Sequence, residues 1–126
     1  KKAEMAYATA AALWQAKKLS QARTYAQKAI SFNENYGEPY ILLAQMYGSS
    51  PNWSDEPALN RCTYFVVIDK LQRAKAVDPS VTDKVNELIR TYAAHTPQAK
   101  DLFMLGYKAG DRITIGGWIG ESTTIR

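Results

Sequence analysis

The chain has very few of the residues that build disulfides and metal centres, since its 126 residues include one cysteine and one histidine. Cys62 has no second cysteine to pair with, so an intramolecular disulfide is excluded. A metal centre needs several ligands at suitable spacing, and Cys62 with His95 does not supply them. A Cys–His nucleophile pair has no supporting motif, and phosphate-binding loops, dinucleotide-binding fingerprints and nucleophile elbows are absent. We therefore expect a chain without catalytic activity, metal or cofactor.

Long apolar runs and a strong charge bias are missing as well. No stretch of about 18 apolar residues could cross a membrane as a helix. The formal net charge is +4, and residues 1–36 hold six Lys/Arg and two Glu. Lys17, Arg23 and Lys28 are spread along two helices rather than clustered beside aromatic residues, so nucleic-acid binding is not favoured. With 46% hydrophobic and 22% charged residues, residues 1–126 have the composition of one folded domain.

The middle of the chain carries the pattern of a helical hairpin. Large and small residues recur on one face of each helix: Tyr40, Leu43, Ala44 and Tyr47 in the first, and Val67, Leu71 and Ala74 in the second. Pro79 ends the second helix, because the residue before a proline disfavours α geometry. Residues 48–59 separate the two helices and are interpreted as an insertion.

The same pattern recurs on both sides of this hairpin. The preceding stretch supplies Ala6, Thr9, Ala10 and Leu13 in one helix and Ala22, Ala26 and Ala29 in the next. The following stretch supplies Val85, Leu88, Ile89 and Tyr92. Ile89 is larger than the residue found at the same place in the other helices, which disfavours a close helix crossing there.

These residues resemble the tetratricopeptide repeat (TPR), a helical-hairpin repeat, over about residues 3–95. The resemblance implies an all-α stack of about two and a half repeats. Its parts would be repeat one at 3–36, repeat two at 37–80 with the insertion 48–59, and capping helices at 81–110. Because no hairpin of such a stack buries its own apolar face, the open end needs a cap.

The C-terminal residues 111–126 predict a β-hairpin that supplies this cap. Arg112–Ile115 alternates polar and apolar residues, and Ser122–Arg126 is a second candidate strand. A lone hairpin is marginal in water, so we expect it to pack on the last helices, which Thr96 and Pro97 are expected to begin. This ending resembles uncharacterised TPR proteins of Gram-negative gut bacteria, which favours the periplasm or cell envelope. The start of the chain lacks an initiator Met, so we expect it to be the C-terminal part of a longer protein.

The TPR resemblance also implies a concave groove lined by fixed positions of each first helix. Carried onto this chain, those positions provide the apolar anchors Tyr7, Trp14 and Ile41 and the polar residues Gln45, Asn86 and Arg90. Tyr7 and Trp14 are seven residues apart and share one helical face. Alternatively, both pack against an upstream repeat. The Lys and Asn clamp with which one TPR subfamily holds the C-terminal carboxylate of chaperones is absent, so we do not predict chaperone binding.

The other aromatic candidates are two tryptophans outside the repeats. Trp53 lies in the polar insertion and is a partner-binding candidate, although it could instead rest on the repeat surface. Ser54 is expected to cap the next helix. Trp118 follows Gly116 and Gly117 and is expected to seat the hairpin on the helices.

The leading hypothesis is a non-catalytic scaffold that binds a protein or peptide in a TPR groove. The alternative is glycan or small-ligand recognition in a bacterial cell-envelope protein, in which Trp53, Trp118 and the tyrosines stack on sugar rings. A third hypothesis is an accessory domain of an enzyme whose catalytic residues lie upstream.

Overall fold

A computed structural model describes residues 1–126, which are 63% helical and end in a small antiparallel sheet. The helices are α1 (Lys2–Gln15), α2 (Leu19–Phe32), α3 (Glu38–Gly48), α4 (Pro57–Arg61), α5 (Thr63–Val77), α6 (Thr82–Ala93) and α7 (Ala99–Met104), with a 3₁₀ turn at Pro79–Val81. The strands are β1 (Arg112–Thr114) and β2 (Ser122–Thr124). The expectation of a mostly helical chain with a terminal hairpin is confirmed. None of the helices has both the length and the apolar character that crossing a bilayer requires.

Small residues bring the helices of each hairpin together. Helix α1 packs on α2, and α3 packs on α5. Ala10, Ala22 and Ala26 are fully buried, as are Ala44 and Ala74 in the second pair. A methyl group at these positions lets the backbones approach closely, whereas a longer side chain would hold them apart. The alanine spacing seen in the sequence therefore marks the helix interfaces.

Helices α1, α3 and α6 run parallel to one another. At the start of α3, Glu38 forms an ion pair of 3.1 Å with Lys84 in the first turn of α6. At the other end, Gly48 lies so close to Tyr92 that an added Cβ would stand 2.7 Å from the tyrosine ring. Trp14 near the end of α1 borders the same cavity as Ser49, which directly follows α3. The corresponding ends of the three helices therefore lie side by side.

Asp78 connects the turn before α3 to the turn before α6. One carboxylate oxygen accepts a hydrogen bond of 2.9 Å from the Gly37 N–H. The other accepts from the Ser80 hydroxyl and N–H at 2.6 and 3.1 Å. These bonds, first that of the Ser80 hydroxyl, lower the pKa of Asp78. A Cβ at Gly37 would lie 2.9 Å from the Asp78 Cβ, so the close approach of the two turns requires glycine there.

Two predicted helix starts are wrong. Ser54 does not cap α4, which begins at Pro57 with no side-chain cap. The Ser54 hydroxyl accepts instead from the Glu56 N–H at 3.0 Å, which forms a local turn before the helix. Helix α7 begins at Ala99 rather than at Thr96. The Thr96 hydroxyl donates to the Ala93 carbonyl at 2.8 Å and so satisfies the end of α6, while Gln98 occupies the N-cap position of α7.

The C-terminal hairpin packs on the helices as predicted. Its register pairs Arg112 with Thr124 and Thr114 with Ser122, and it contacts α5 through β2. The Thr123 hydroxyl donates to Asp69 of α5 at 2.7 Å. The turn of the hairpin is held by Trp118. Its carbonyl accepts from Arg23 of α2 at 2.6 Å, and its ring meets that of Tyr47 edge to face at 5.3 Å. The expected seating role of Trp118 is confirmed.

Candidate functional site

The two aromatic groove candidates on α1 lie half-buried at opposite ends of α3. The Tyr7 ring packs edge-on against Tyr36 with ring centroids 5.7 Å apart. Burial, and then the charge of Glu38, raise the pKa of Tyr7. Trp14 borders a cavity of about 360 Å³, whose other lining residues are Gln15, Lys17, Leu19, Ser49 and Ser50. Both side chains keep part of their surface accessible to a partner.

The other groove candidates differ in how accessible they are to a partner. Ile41 is 1% exposed, so it cannot contact a partner and its assignment as an anchor is wrong. The reason is that α3 is the central helix and touches α1, α2 and α5. The Asn86 amide oxygen already accepts from Lys75 of α5 at 2.8 Å. Gln45 is half-buried on α3, and Arg90 is exposed on α6.

Trp53 fixes the insertion in place. Its backbone N–H donates to the Asn60 side chain at 2.9 Å, and its indole N–H donates to the Leu59 carbonyl at 3.2 Å. Its ring covers Gly116, where an added Cβ would stand 2.9 Å from the indole. The half-buried ring thus joins α4 to the hairpin, whereas the alternative drawn from the sequence placed it on the repeat surface.

Three of the five large apolar side chains that are exposed lie at or just after α7, which the sequence predicted only as part of a cap. Phe103, Met104 and Leu105 are 74%, 84% and 39% exposed. Phe103 and Met104 border a cavity of about 550 Å³ that we name the α7 pocket. It is lined by Ala99, Lys100, Leu102, Phe103, Met104, Tyr107, Lys108, Ala109, Ile125 and Arg126. Leu102 and Ile125, 1% and 2% exposed, form its floor. This volume is in the range of cavities that hold a small ligand or an inserted side chain.

A signal for this surface was present in the sequence. Residues 102–105 are four consecutive apolar residues, and a helix cannot turn four successive positions toward one core. Helix α7 ends at Met104, and Leu102 is its one buried residue. The chain therefore leaves the others in solvent.

A second, polar cavity lies at the end of α6. It measures about 380 Å³ and is lined by Pro51, Asn52, Pro57, Asn60, Arg61, Tyr64 and His95. The Tyr64 ring stacks on the Tyr92 ring with their centroids 6.0 Å apart. Its centroid lies 5.2 Å from that of the exposed His95 ring. The Asn60 side chain is engaged with Trp53 and Ser54, which leaves Asn52, Arg61, Tyr64 and His95 as the polar side chains of this cavity that make no hydrogen bond.

Cys62 is a buried residue at the bend between α4 and α5. Its thiol is fully buried and donates to the Ala58 carbonyl at 3.6 Å. No group of three or more His, Cys, Asp or Glu side chains converges in a way that could hold a metal ion. Burial raises the pKa of the Cys62 thiol to about 11.

We expect Cys62 to resist alkylation in the native protein at neutral pH, because the reactive thiolate is both disfavoured and inaccessible. Iodoacetamide labelling followed by mass spectrometry should show slow modification that becomes fast in urea. Fast labelling of the native chain would show that the α4–α5 bend opens readily.

No protein-family model, no curated protein and no solved structure matches this chain.

Proposed function

We propose that the chain is a non-catalytic interaction domain of TPR-like helical hairpins that binds a protein or peptide. The observation that carries the proposal is the run of exposed apolar residues Phe103–Leu105, of which Phe103 and Met104 line the α7 pocket. Single exposed apolar side chains are ordinary on a protein surface, but a contiguous patch around a cavity is typical of an interaction site. Aromatic side chains at such a patch are common anchors of protein interfaces.

The helix arrangement supports the TPR-like part of this proposal. Hairpins α1–α2 and α3–α5 pack through buried alanines, and the first helices α1, α3 and α6 run parallel. In stacked helical repeats, the parallel first helices line one shared surface. On this chain that surface carries Tyr7 and Trp14, which we propose as a second, smaller contact region.

The two tryptophans of the glycan alternative each use part of their ring for contacts within the chain. The Trp53 ring covers Gly116, and the Trp118 ring packs on Tyr47. A sugar that stacks on an aromatic ring needs a free face of that ring. We therefore do not propose glycan binding at these residues.

Two double variants test the proposed function. One carries the substitutions Phe103→Ser and Met104→Ser and is called the serine variant. The other carries Tyr7→Ala and Trp14→Ala and is called the alanine variant. Each immobilised protein is incubated with lysate of the source organism, and retained proteins are identified by mass spectrometry. We expect a partner that the wild type retains and the serine variant loses. Because Phe103 and Met104 are mostly exposed, the helical circular dichroism of that variant should stay unchanged.

The alanine variant shows which of the two surfaces binds the partner. A partner lost only in the alanine variant would move the binding site from α7 to the α1 face. Identical sets of retained proteins for the wild type and both variants would contradict the proposed function at these surfaces.

A further inference from the structure

The two sides of α7 differ in charge. Lys100 and Phe103 are three residues apart on α7 and share the side that faces the α7 pocket, whose lining also includes Tyr107 beyond the end of the helix. The side toward α4 borders a separate cavity of about 280 Å³, where Asp101 lies with Glu56 and Arg61. Asp101 therefore lies outside the lining of the α7 pocket, in a cavity that Met104 and Leu105 also border.

Every charged residue that lines the α7 pocket is basic. Lys100 takes part in none of the ion pairs of the chain. Lys108 pairs with Asp111 at 3.3 Å, and Arg126 pairs with Asp69. Since Asp111 and Asp69 offset part of the charge of their partners, Lys100 contributes the main uncompensated charge at the rim.

We infer that the α7 pocket binds an acidic amphipathic segment of a partner protein. This inference rests on the proposed function and adds the chemistry of the partner. An apolar side chain of the segment enters the cavity over Leu102 and Ile125 and packs on Phe103 and Met104. Its Asp or Glu residues lie over the basic rim, where Lys100 has no acid of its own chain to neutralise it.

The same charges argue against a second copy of this chain as the occupant. A symmetric dimer through this surface would place the same patch on both subunits. Lys100, Lys108 and Arg126 would then meet their own copies, and like charges across an interface are unfavourable.

The concave shape argues against a lipid surface. Side chains that enter a membrane interface protrude from the protein, as an apolar helix face does. Here the floor residues Leu102 and Ile125 lie at the bottom of a cavity of about 550 Å³, which fits an inserted side chain better than a flat bilayer surface.

A synthetic peptide tests the inference directly. The probe is a fluorescein-labelled helical peptide with Leu and Phe on one face and Glu on the other, measured by fluorescence anisotropy. We expect Phe103→Ser to weaken its binding by about tenfold or more, and Lys100→Glu to weaken it by about five- to tenfold at low salt. Higher salt should weaken wild-type binding, because the Debye length is only about 10 Å at 0.1 M.

Lys18→Glu serves as the matched control, since it makes the same change of net charge at an exposed position that immediately precedes α2. An acidic residue is favourable at a helix N-terminus, so the control should fold and bind like the wild type. A second peptide carries Lys in place of each Glu and should bind much more weakly.

Equal binding of the two peptides would overturn the acidic partner and leave the proposed function standing. If the wild type binds no peptide but cosediments with phosphatidylcholine–phosphatidylglycerol vesicles, and Phe103→Ser abolishes that cosedimentation, the surface binds lipid instead. A dimer in light scattering that Phe103→Ser dissociates would assign it to a second copy. Absence of peptide binding overturns the inference alone, whereas the proposed function fails only if the lysate experiment also shows no change.

Discussion

Ending the chain after Gly110 is expected to unfold the domain. The removed hairpin contributes four isoleucines that are at most 7% exposed: Ile113, Ile115, Ile119 and Ile125. Burying one such side chain contributes about 1.5–3 kcal/mol, so the four together contribute on the order of 6–12 kcal/mol. That is as large as the entire stability of a typical domain, about 5–15 kcal/mol.

The loss extends beyond the isoleucines. Without the hairpin, Asp69 loses its bonds to Thr123 and Arg126, and Trp53 loses the Gly116 surface that it covers. The floor of the α7 pocket loses Ile125. We therefore expect the truncated chain to lose cooperative thermal unfolding and its near-UV circular dichroism signal.

A pair of point variants shows whether the effect comes from packing. Ile115, directly after β1, is fully buried, whereas Thr114 at the end of β1 is exposed. Ile115→Ala should lower the free energy of unfolding by about 2–5 kcal/mol, and Thr114→Ala by less than about 0.5 kcal/mol. A truncated chain that still melts cooperatively at the wild-type temperature would show that the helices form a self-sufficient core.

Local periodicity was sufficient to predict the long helices and the hairpin, although not the starts of the short helices α4 and α7. Ala22 and Ala26 recur at helical spacing, and each proved to be fully buried at a helix interface. The alternation of Arg112–Ile115 indicated which face of the strand is buried, because side chains in a strand alternate sides. These features depend on residues close together in the chain, which a sequence displays directly.

The candidate site depended on packing between distant residues, which the sequence does not display. Ile41 was assigned to a groove, but α3 is enclosed by neighbouring helices and the side chain is buried. The ring of Trp53 covers a glycine that lies far along the chain, at Gly116. The direction of the α7 face was likewise set by how Leu102 docks on the core.

The substitution Tyr47→Ala is expected to lower the free energy of unfolding by about 3–5 kcal/mol, which is the usual cost of removing a large buried ring. Tyr47 is fully buried, and its hydroxyl donates to Glu121 of the hairpin at 2.5 Å. Glu121 also forms an ion pair of 2.8 Å with Lys70. The tyrosine ring lies against Trp118, and Arg23 is positioned 5.9 Å from its centroid. The substitution therefore weakens the contact between α3 and the hairpin as well as the core.

The substitution Tyr47→Phe removes the hydroxyl and keeps the ring, so it measures the contribution of the hydroxyl alone. The ring contacts remain and Glu121 keeps Lys70, so we expect a smaller loss of about 1.5–3 kcal/mol, the value for a hydrogen bond to a charged group. The half-buried Tyr40 lies on the same helix, and Tyr40→Phe serves as a control with an expected change below about 0.5 kcal/mol. Urea unfolding followed by circular dichroism measures all three variants.

The pH dependence gives an independent test. Burial, and then the hydrogen bond and charge of Glu121, raise the pKa of Tyr47 far above its ordinary value. Because the folded-state pKa lies above the unfolded value of about 10, the neutral Tyr47 hydroxyl contributes fully to stability below about pH 10. This contribution is lost as the pH rises further. The urea midpoint should therefore fall above about pH 10, and less steeply in Tyr47→Phe. Part of the fall should remain, because burial also raises the pKa of Tyr7, Tyr36 and Tyr92. An identical slope in both proteins would contradict the buried bond to Glu121 as the anchor of the hairpin.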